Sequence, residues 1–532
     1  MDYNIIVNNF FDGDKKYSEE RVIKTENGLI KDIVKMDKNN IKDLINKKNT
    51  YDLRDKFVTP GLMDSHNHFA LTALKLMYQI NLVNTHSFDD IINMINNKNK
   101  IIHGWIQCFG INEYELKEKK LPDRYILDKV ISDIPVFITH MSEHYAVCNS
   151  KALEIAGINK ETRDPSNGKI GRNKSGISDG TLYEAQAMDL VKKHIPEYTL
   201  NDYENAIING SAEYLNTGLT AIKDTGGTGK DINENTRVDA FNNVTLNNKI
   251  KLSLVIALPV YSLEDVDEKI GLSNKIKENS KLKNGGFKIF LDGSIMSRKA
   301  WMKNPYRIQK FDTEEVRGIP LWDIGKFKEA VNKLAATGKH ISIHAIGDKA
   351  ISVAIDIIKE INKNGTKSTF SLVHAYKLNN EDIMNLKNEK INLETQAAFI
   401  YFIGDVIQNN LKDSESFGLF PIKTLISQGV NISNGSDTPV TSFDPLYGIY
   451  SSIYRKIKNS NEKNIFDDEE KIGIHDALKT YTSLSSYDLE LNNTGFIKNG
   501  YCSSFTVWDS YPEKLNDDIN QWTKIKHNAL VL

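Results

Sequence analysis

Apolar and polar positions alternate over short runs at both ends of the chain. Asn4-Ile5-Ile6-Val7, Arg21-Val22-Ile23 and Leu29-Ile30-Lys31-Asp32-Ile33-Val34 are separated by turn signals such as Asp12-Gly13-Asp14 and Asn27-Gly28. A period of two bounded by glycine and aspartate is the pattern of strands and hairpins. The same pattern returns in Thr494-Gly495-Phe496-Ile497 and Ser504-Phe505-Thr506-Val507-Trp508. Neither end is long enough for an independent sheet, so the two are expected to pair in one small β-sandwich, residues 1–56 with 486–532. Between them, β-type apolar runs alternate with helical stretches, the pattern of a parallel α/β fold. Eight such runs are read, at 57–66, 219–224, 252–257, 286–292, 340–344, 370–374, 391–395 and 430–434. A (β/α)8 TIM-type barrel over 57–485 follows. Barrels of this kind use about 250 residues, so a large insertion is expected at about 70–200. Within it, 70–78 and 88–95 read as helices, 134–138 as a strand, and the glycine-rich 164–176 as a loop or hairpin.

Composition narrows the partners. The 532 residues carry 68 Lys plus Arg against 70 Asp plus Glu, a net charge of −2. A near-neutral chain argues against nucleic acid or an anionic membrane as the main partner. Cys108, Cys148 and Cys502 are too few and too scattered for a disulfide framework or a C-x-x-C site, which suits a reducing compartment. Met1-Asp2-Tyr3-Asn4 shows no basic stretch followed by an apolar one, and no run reaches membrane-spanning length. The expectation is a cytoplasmic protein with a small-molecule substrate; a homodimer is left open.

The candidate chemistry sits at the ends of the apolar runs. The first ends in His66-Asn67-His68, and alternate strand residues share a face, so both imidazoles can reach one metal ion. Asp64 shares that face. His344 ends the fifth run, His374 ends the sixth, and Asp437 follows the eighth in Asn434-Gly435-Ser436-Asp437. Catalytic groups of such barrels come from the C-terminal ends of several strands. Lys288 lies inside the fourth run, with Phe287, Ile289 and Leu291 on the opposite face. If that apolar face meets the helices, Lys288 points into the barrel, where an isolated ammonium is costly. Two arrangements remain open: an ion pair with Asp292, or a carbamate formed with carbon dioxide, whose two oxygens could bridge two metals.

Four segments taken together resemble the amidohydrolase superfamily, and within it the branch that includes N-substituted formamide deformylase. They are Val58-Thr59-Pro60-Gly61-Leu62-Met63-Asp64-Ser65-His66-Asn67-His68, Phe287-Lys288-Ile289-Phe290-Leu291-Asp292-Gly293-Ser294, Ile343-His344-Ala345-Ile346-Gly347-Asp348 and Gly435-Ser436-Asp437-Thr438-Pro439-Val440. The resemblance implies that His66 and His68 hold one divalent ion, completed by Asp437. Lys288, carboxylated by carbon dioxide, would bridge to a second ion held by His344 and His374. One or two ions per chain are implied; imidazole and carboxylate ligands suit zinc first, with iron or manganese as alternatives. In the insertion, Ser142-Glu143-His144-Tyr145-Ala146-Val147-Cys148-Asn149 and Thr181-Leu182-Tyr183-Glu184 resemble segments that would place His144 and Glu184 at the substrate. Val373 stands where the branch commonly has a glutamate, and Ile295-Met296-Ser297-Arg298 replaces a run of small residues. These departures leave the metal set intact and bear on the substrate. The implied activity is hydrolysis of a non-peptide carbon–nitrogen bond, of an amide or N-formyl small molecule, with Asp437 as the proton shuttle. A deaminase or cyclic-imide hydrolase is the alternative on the same scaffold, and a non-catalytic binding relative is the rival from another class.

Overall fold

The computed structural model describes residues 2–35, 38–98, 100–227, 232–309, 312–415, 418–458, 466–512 and 515–532. The chain divides into one unit of Met1–Ala70 with Ser211–Leu532 and a second of Leu71–Gly210.

The first unit contains the expected barrel. Its eight parallel strands are β1 (Leu62–Asn67), β2 (Leu219–Asp224), β3 (Ser253–Val260), β4 (Leu282–Phe290), β5 (Ile341–Ala345), β6 (Phe370–His374), β7 (Asn392–Thr395) and β8 (Ile432–Asn434). They pair in sequence order from β1 to β8. Nearly every residue of these strands is buried, as for a sheet covered on both faces. The ring closes through the segment after β8: the Asp437 N–H donates to the His66 carbonyl (2.7 Å) and the His68 N–H to that of Thr438 (3.0 Å).

The run read as one strand over 57–66 is in fact two. Thr50–Pro60 belongs to the sheet of the chain ends, and the barrel strand begins at Leu62. Gly61 is the pivot. A Cβ there would lie 2.1 Å from Thr220 Oγ1, and the Gly61 N–H bonds to the Ser504 carbonyl. Hydrophobicity does not change across this switch, so periodicity alone could not show it.

The chain ends share one six-stranded sheet, in the order His527–Val531, Ser504–Trp508, Thr50–Pro60, Tyr3–Phe11, Lys16–Glu26, Leu29–Val34. Alternation decides its two faces. Ile5, Val7, Ile23, Val58 and Phe505 join one apolar cluster. Ile6 and Val22 face the other way, against Ile41 and Leu44 of the helix Lys38–Ile45.

The second unit is built on a seven-stranded mixed sheet whose strands include Trp105–Ile111, Val136–His140, Tyr145–Cys148 and Ser178–Tyr183. Ile106, Cys108 and Ile138 lie in one of its cores, Trp105, Phe137 and Cys148 in the other. The glycine-rich segment forms a hairpin, Lys169–Arg172 pairing with Ser178–Tyr183. Among the described residues no helix is long and apolar enough to cross a membrane.

Gly435 sits at the barrel closure, where an added Cβ would lie 2.6 Å from the backbone N of His66. Backbone cannot rotate away as a side chain can, so Gly435→Ala is expected to destabilise the fold by about 1–3 kcal/mol. Chemical denaturation checks this. An unchanged midpoint would show that the β1–β8 seam is looser than described.

Candidate metal centre

The strand ends converge. His66 at the end of β1, His68 just beyond it and Asp437 after β8 place one ligand atom each within 4.8 Å of one another, and all three are buried. Asp437 Oδ1 lies 3.2 Å from His68 Nε2 and 3.5 Å from His66 Nε2. The His374 ring centres 5.5 Å from that of His66 and 4.5 Å from that of His344. Lys288 is fully buried on β4, its Nζ 3.4 Å from His66 Nε2. The structure thus gathers His66, His68, Lys288, His344, His374 and Asp437 at one end of the barrel.

Hydrogen bonds behind the imidazoles decide which nitrogen each presents. His68 Nδ1 is 2.7 Å from the Gly226 carbonyl, which can only accept, so Nδ1 carries the proton. His66 Nδ1 donates to the Glu394 carboxylate at 3.0 Å. His374 Nδ1 donates to Gln396 Oε1 at 2.7 Å, an orientation set by Gln396 Nε2, which donates to the Glu394 carbonyl. In each ring the Nε2 lone pair is left for the centre. His344 Nε2 is buried with no hydrogen-bond partner. Several lone pairs facing a common carboxylate repel one another unless a cation lies among them, so the residues fit a divalent ion. Imidazole and carboxylate donors of this kind suit zinc.

Electrostatics agree with that reading. Burial, and then neighbouring positive charge, hold His66, His344 and His374 below their ordinary range, His66 at about 4 and His374 at about 3, whereas in His68 the Asp437 carboxylate outweighs burial and raises the imidazole. His66, His344 and His374 are neutral at any pH near 7. Asp437 is held well below the ordinary carboxylate range by its neighbours His68, His374 and His66, which outweigh its burial. Lys288 is lowered to about 7, chiefly by burial. The ion pair between Lys288 and Asp292, one of the two arrangements open from sequence, is not what the structure holds. Asp292 instead accepts N–H bonds from Ile346, Gly347 and Trp301 at 2.8–2.9 Å. These bonds tie the end of β4 to that of β5.

Backbone strain collects at the same place. His374 (φ +73°), Ala375 (φ +39°) and Asp437 (φ +53°) are all left-handed without being glycine, a conformation that costs of order 1–3 kcal/mol per residue and gathers at functional sites. Asp64, read from sequence as sharing the histidines' face, is a brace. It accepts from Ser436 Oγ (2.6 Å), Ser436 N (3.0 Å) and His66 N (3.1 Å), fixing the turn that carries Asp437.

His144 and Glu184 belong to the second unit. They pair with each other, Nδ1 to Oε2 at 3.1 Å, and both side chains are exposed. Beside them stands a pair not anticipated from the sequence, buried His140 with Glu113 Oε2 at 2.9 Å. Two further residues were missed at the barrel centre, Lys223 on β2 and Glu394 on β7, both buried and 2.7 Å apart. Each lies on a run read as a barrel strand, Lys223 beside Asp224 and Glu394 between Leu393 and Thr395, where alternation marks an inward charge but not its partner.

Comparison with known proteins agrees with the fold. The amidohydrolase family model matches residues 49–525. YtcJ of Bacillus subtilis (strain 168) is 27% identical over 461 residues, 85% of this chain and 84% of its own. The N-substituted formamide deformylase of Arthrobacter pascens is 24% identical over 441 residues, 81% of this chain and 79% of its own. The crystal structure of an uncharacterized metal-dependent hydrolase from Pyrococcus furiosus superposes with a TM-score of 0.74 at 22% identity, covering 97% of this chain and 100% of that one. With the family match spanning most of its length, the chain belongs to the amidohydrolase family, and the enzyme is a hydrolase.

Proposed function

We propose that the enzyme is a metal-dependent hydrolase of carbon–nitrogen bonds other than peptide bonds, acting on a small amide or N-formyl compound. The observation that carries this is the convergence of His66 and His68 Nε2 on one carboxylate, Asp437, beside the His374 ring, with Nδ1 of all three histidines occupied from behind. The N-formyl preference draws support from the deformylase among the relatives.

A divalent ion held there supplies Lewis acidity, including a water whose pKa falls to about 7. His66, His68 and Asp437 would hold one ion; His344 and His374 would hold the other, with Lys288 between them. The work of the chain's own groups follows from their state. Asp437, kept ionised by its histidine neighbours, accepts the proton of the attacking water and passes it to the leaving nitrogen. One water is consumed, and a carboxylate and a free amine leave. Lys288, buried and with its ammonium disfavoured, combines as the free amine with carbon dioxide to give a carbamate and one proton. The result is an anion where an ammonium would repel the ions.

His66→Ala with His68→Ala is expected to lose at least one bound ion per chain, measured by elemental analysis of protein purified without chelator. Full occupancy in that double variant would refute the ligand assignment. Turnover of N-formyl and N-acyl amines should yield a carboxylate and an amine in equal amounts. Ammonia as the product would instead mean deamination on the same scaffold.

A further inference from the structure

Beneath His66 the barrel interior holds a set of charged hydrogen bonds, continued through Ser371 to buried Asp488, of which the proposed chemistry uses only the contact between His66 and Glu394. Glu394 on β7 is fully buried. Its Oε2 faces His66 Nδ1 at 3.0 Å. Its Oε1 accepts from Lys223 Nζ at 2.7 Å and from Ser342 Oγ at 2.8 Å. Lys223 Nζ also donates to Ser342 Oγ at 2.8 Å, so the hydroxyl proton must point at Glu394. His340 Nε2, 3.9 Å from Glu394 Oε1, lies closer to Ser371 Oγ at 2.9 Å. Side chains of β1, β2, β5 and β7 thus meet on one carboxylate.

Donor accounting gives this set a direction. Lys223 has only protons to offer, and Ser342 has already used its acceptor. Both hydrogen bonds hold Glu394 as an acceptor at Oε1, and the ammonium 2.7 Å away favours the ionised form. An ionised carboxylate cannot donate at Oε2 either. His66 Nδ1 must therefore donate, which leaves Nε2 bare. If Glu394 were neutral, it could give its proton to Nδ1, and the ring proton would then sit on Nε2, where it would block an ion. Lys223 never touches His66, yet it decides which nitrogen His66 presents.

We propose that the buried Lys223–Glu394 pair is a positioning device that fixes the His66 tautomer for metal binding. It rests on the metal reading above and adds two residues to it. The alternative, a buried ion pair that only packs the barrel, makes an opposite prediction for a double variant. In E394Q, Lys223 claims the amide oxygen, the amide nitrogen turns to His66 Nδ1, and the ring proton is forced onto Nε2. In K223M/E394Q the amide is free to rotate, its nitrogen donates to Ser342 Oγ, and its oxygen again accepts from Nδ1.

The test is zinc affinity by chelator competition for wild type, E394Q and K223M/E394Q, with thermal unfolding of each metal-free protein alongside. E394Q is expected to bind roughly 10–100-fold more weakly, the usual cost of losing the partner behind a ligand histidine. K223M/E394Q is expected to regain most of that loss. Wild-type affinity in E394Q, or a double variant as weak as E394Q, would overturn the proposal while leaving the metal reading in place. A wild-type protein that takes up no zinc would overturn both. A measurement on the wild type alone covers the case in which a variant does not fold. In metal-free protein carrying 15N-labelled histidine, His66 should hold its proton on Nδ1, and a proton on Nε2 would end the idea.

Discussion

Lys288→Ala is expected to lose activity and metal together, by at least roughly 100-fold, the upper range for partners one bond removed from an ion. The expectation comes from its surroundings. Lys288 is fully buried, its Nζ is 3.4 Å from His66 Nε2, and among the described residues no carboxylate stands within ion-pairing distance. An ammonium there would lie beside nitrogens arranged to hold a cation. With burial bringing its pKa to about 7, a large share of the lysine is free amine at neutral pH, the form that reacts with carbon dioxide. Acetate or propionate supplied with zinc should then restore part of the activity of Lys288→Ala, because a small carboxylate can take the place of the carbamate. Rescue by short amines in place of acids would show that the free amine does the work. Density at the Lys288 tip in crystals grown with metal checks the same point directly, and a bare ammonium there would defeat the carbamate.

Asp437→Asn is expected to keep the fold and lose about 10²–10⁴ in turnover, the usual share of general acid–base catalysis. The amide has nearly the carboxylate's shape, so the turn braced by Asp64 and Ser436 should survive. What it lacks is the charge and the ability to take a proton. Part of the loss should appear as weaker metal binding, since Asp437 Oδ1 sits within 3.5 Å of both His66 and His68 Nε2. Measuring turnover at saturating zinc separates the two contributions. A variant that turns over normally under those conditions would remove Asp437 from the role of proton shuttle.

Most of the site was legible because barrels concentrate their chemistry at one end. His66, His68, His344, His374 and Asp437 each close an apolar run, and parallel pairing brings the ends of all such runs together whatever their distance in sequence. Lys288 was legible through alternation, since its neighbours on the strand are apolar on the opposite face. Lys223 and Glu394 bore the same mark. They escaped notice because each is costly to bury alone and intelligible only as a pair, and nothing local joins residues on β2 and β7.

The sequence by itself determined the order of elements, the eight barrel strands and the pairing of the two chain ends, and it singled out the residues that converge at the strand ends. These follow from periodicity and from the burial it demands, which are local quantities. Only the tertiary structure decided where the first run breaks at Gly61, that Asp292 is held by backbone N–H groups instead of by Lys288, and which nitrogen each histidine presents. The physical reason is common to all three. Each depends on a hydrogen-bond partner or a close approach from a distant part of the chain: Thr220 against Gly61, Ile346 and Gly347 against Asp292, Glu394 behind His66. A hydrogen bond is directional and short-ranged, so its partner is settled by where the strands lie side by side, a relation that no pattern along a single strand records.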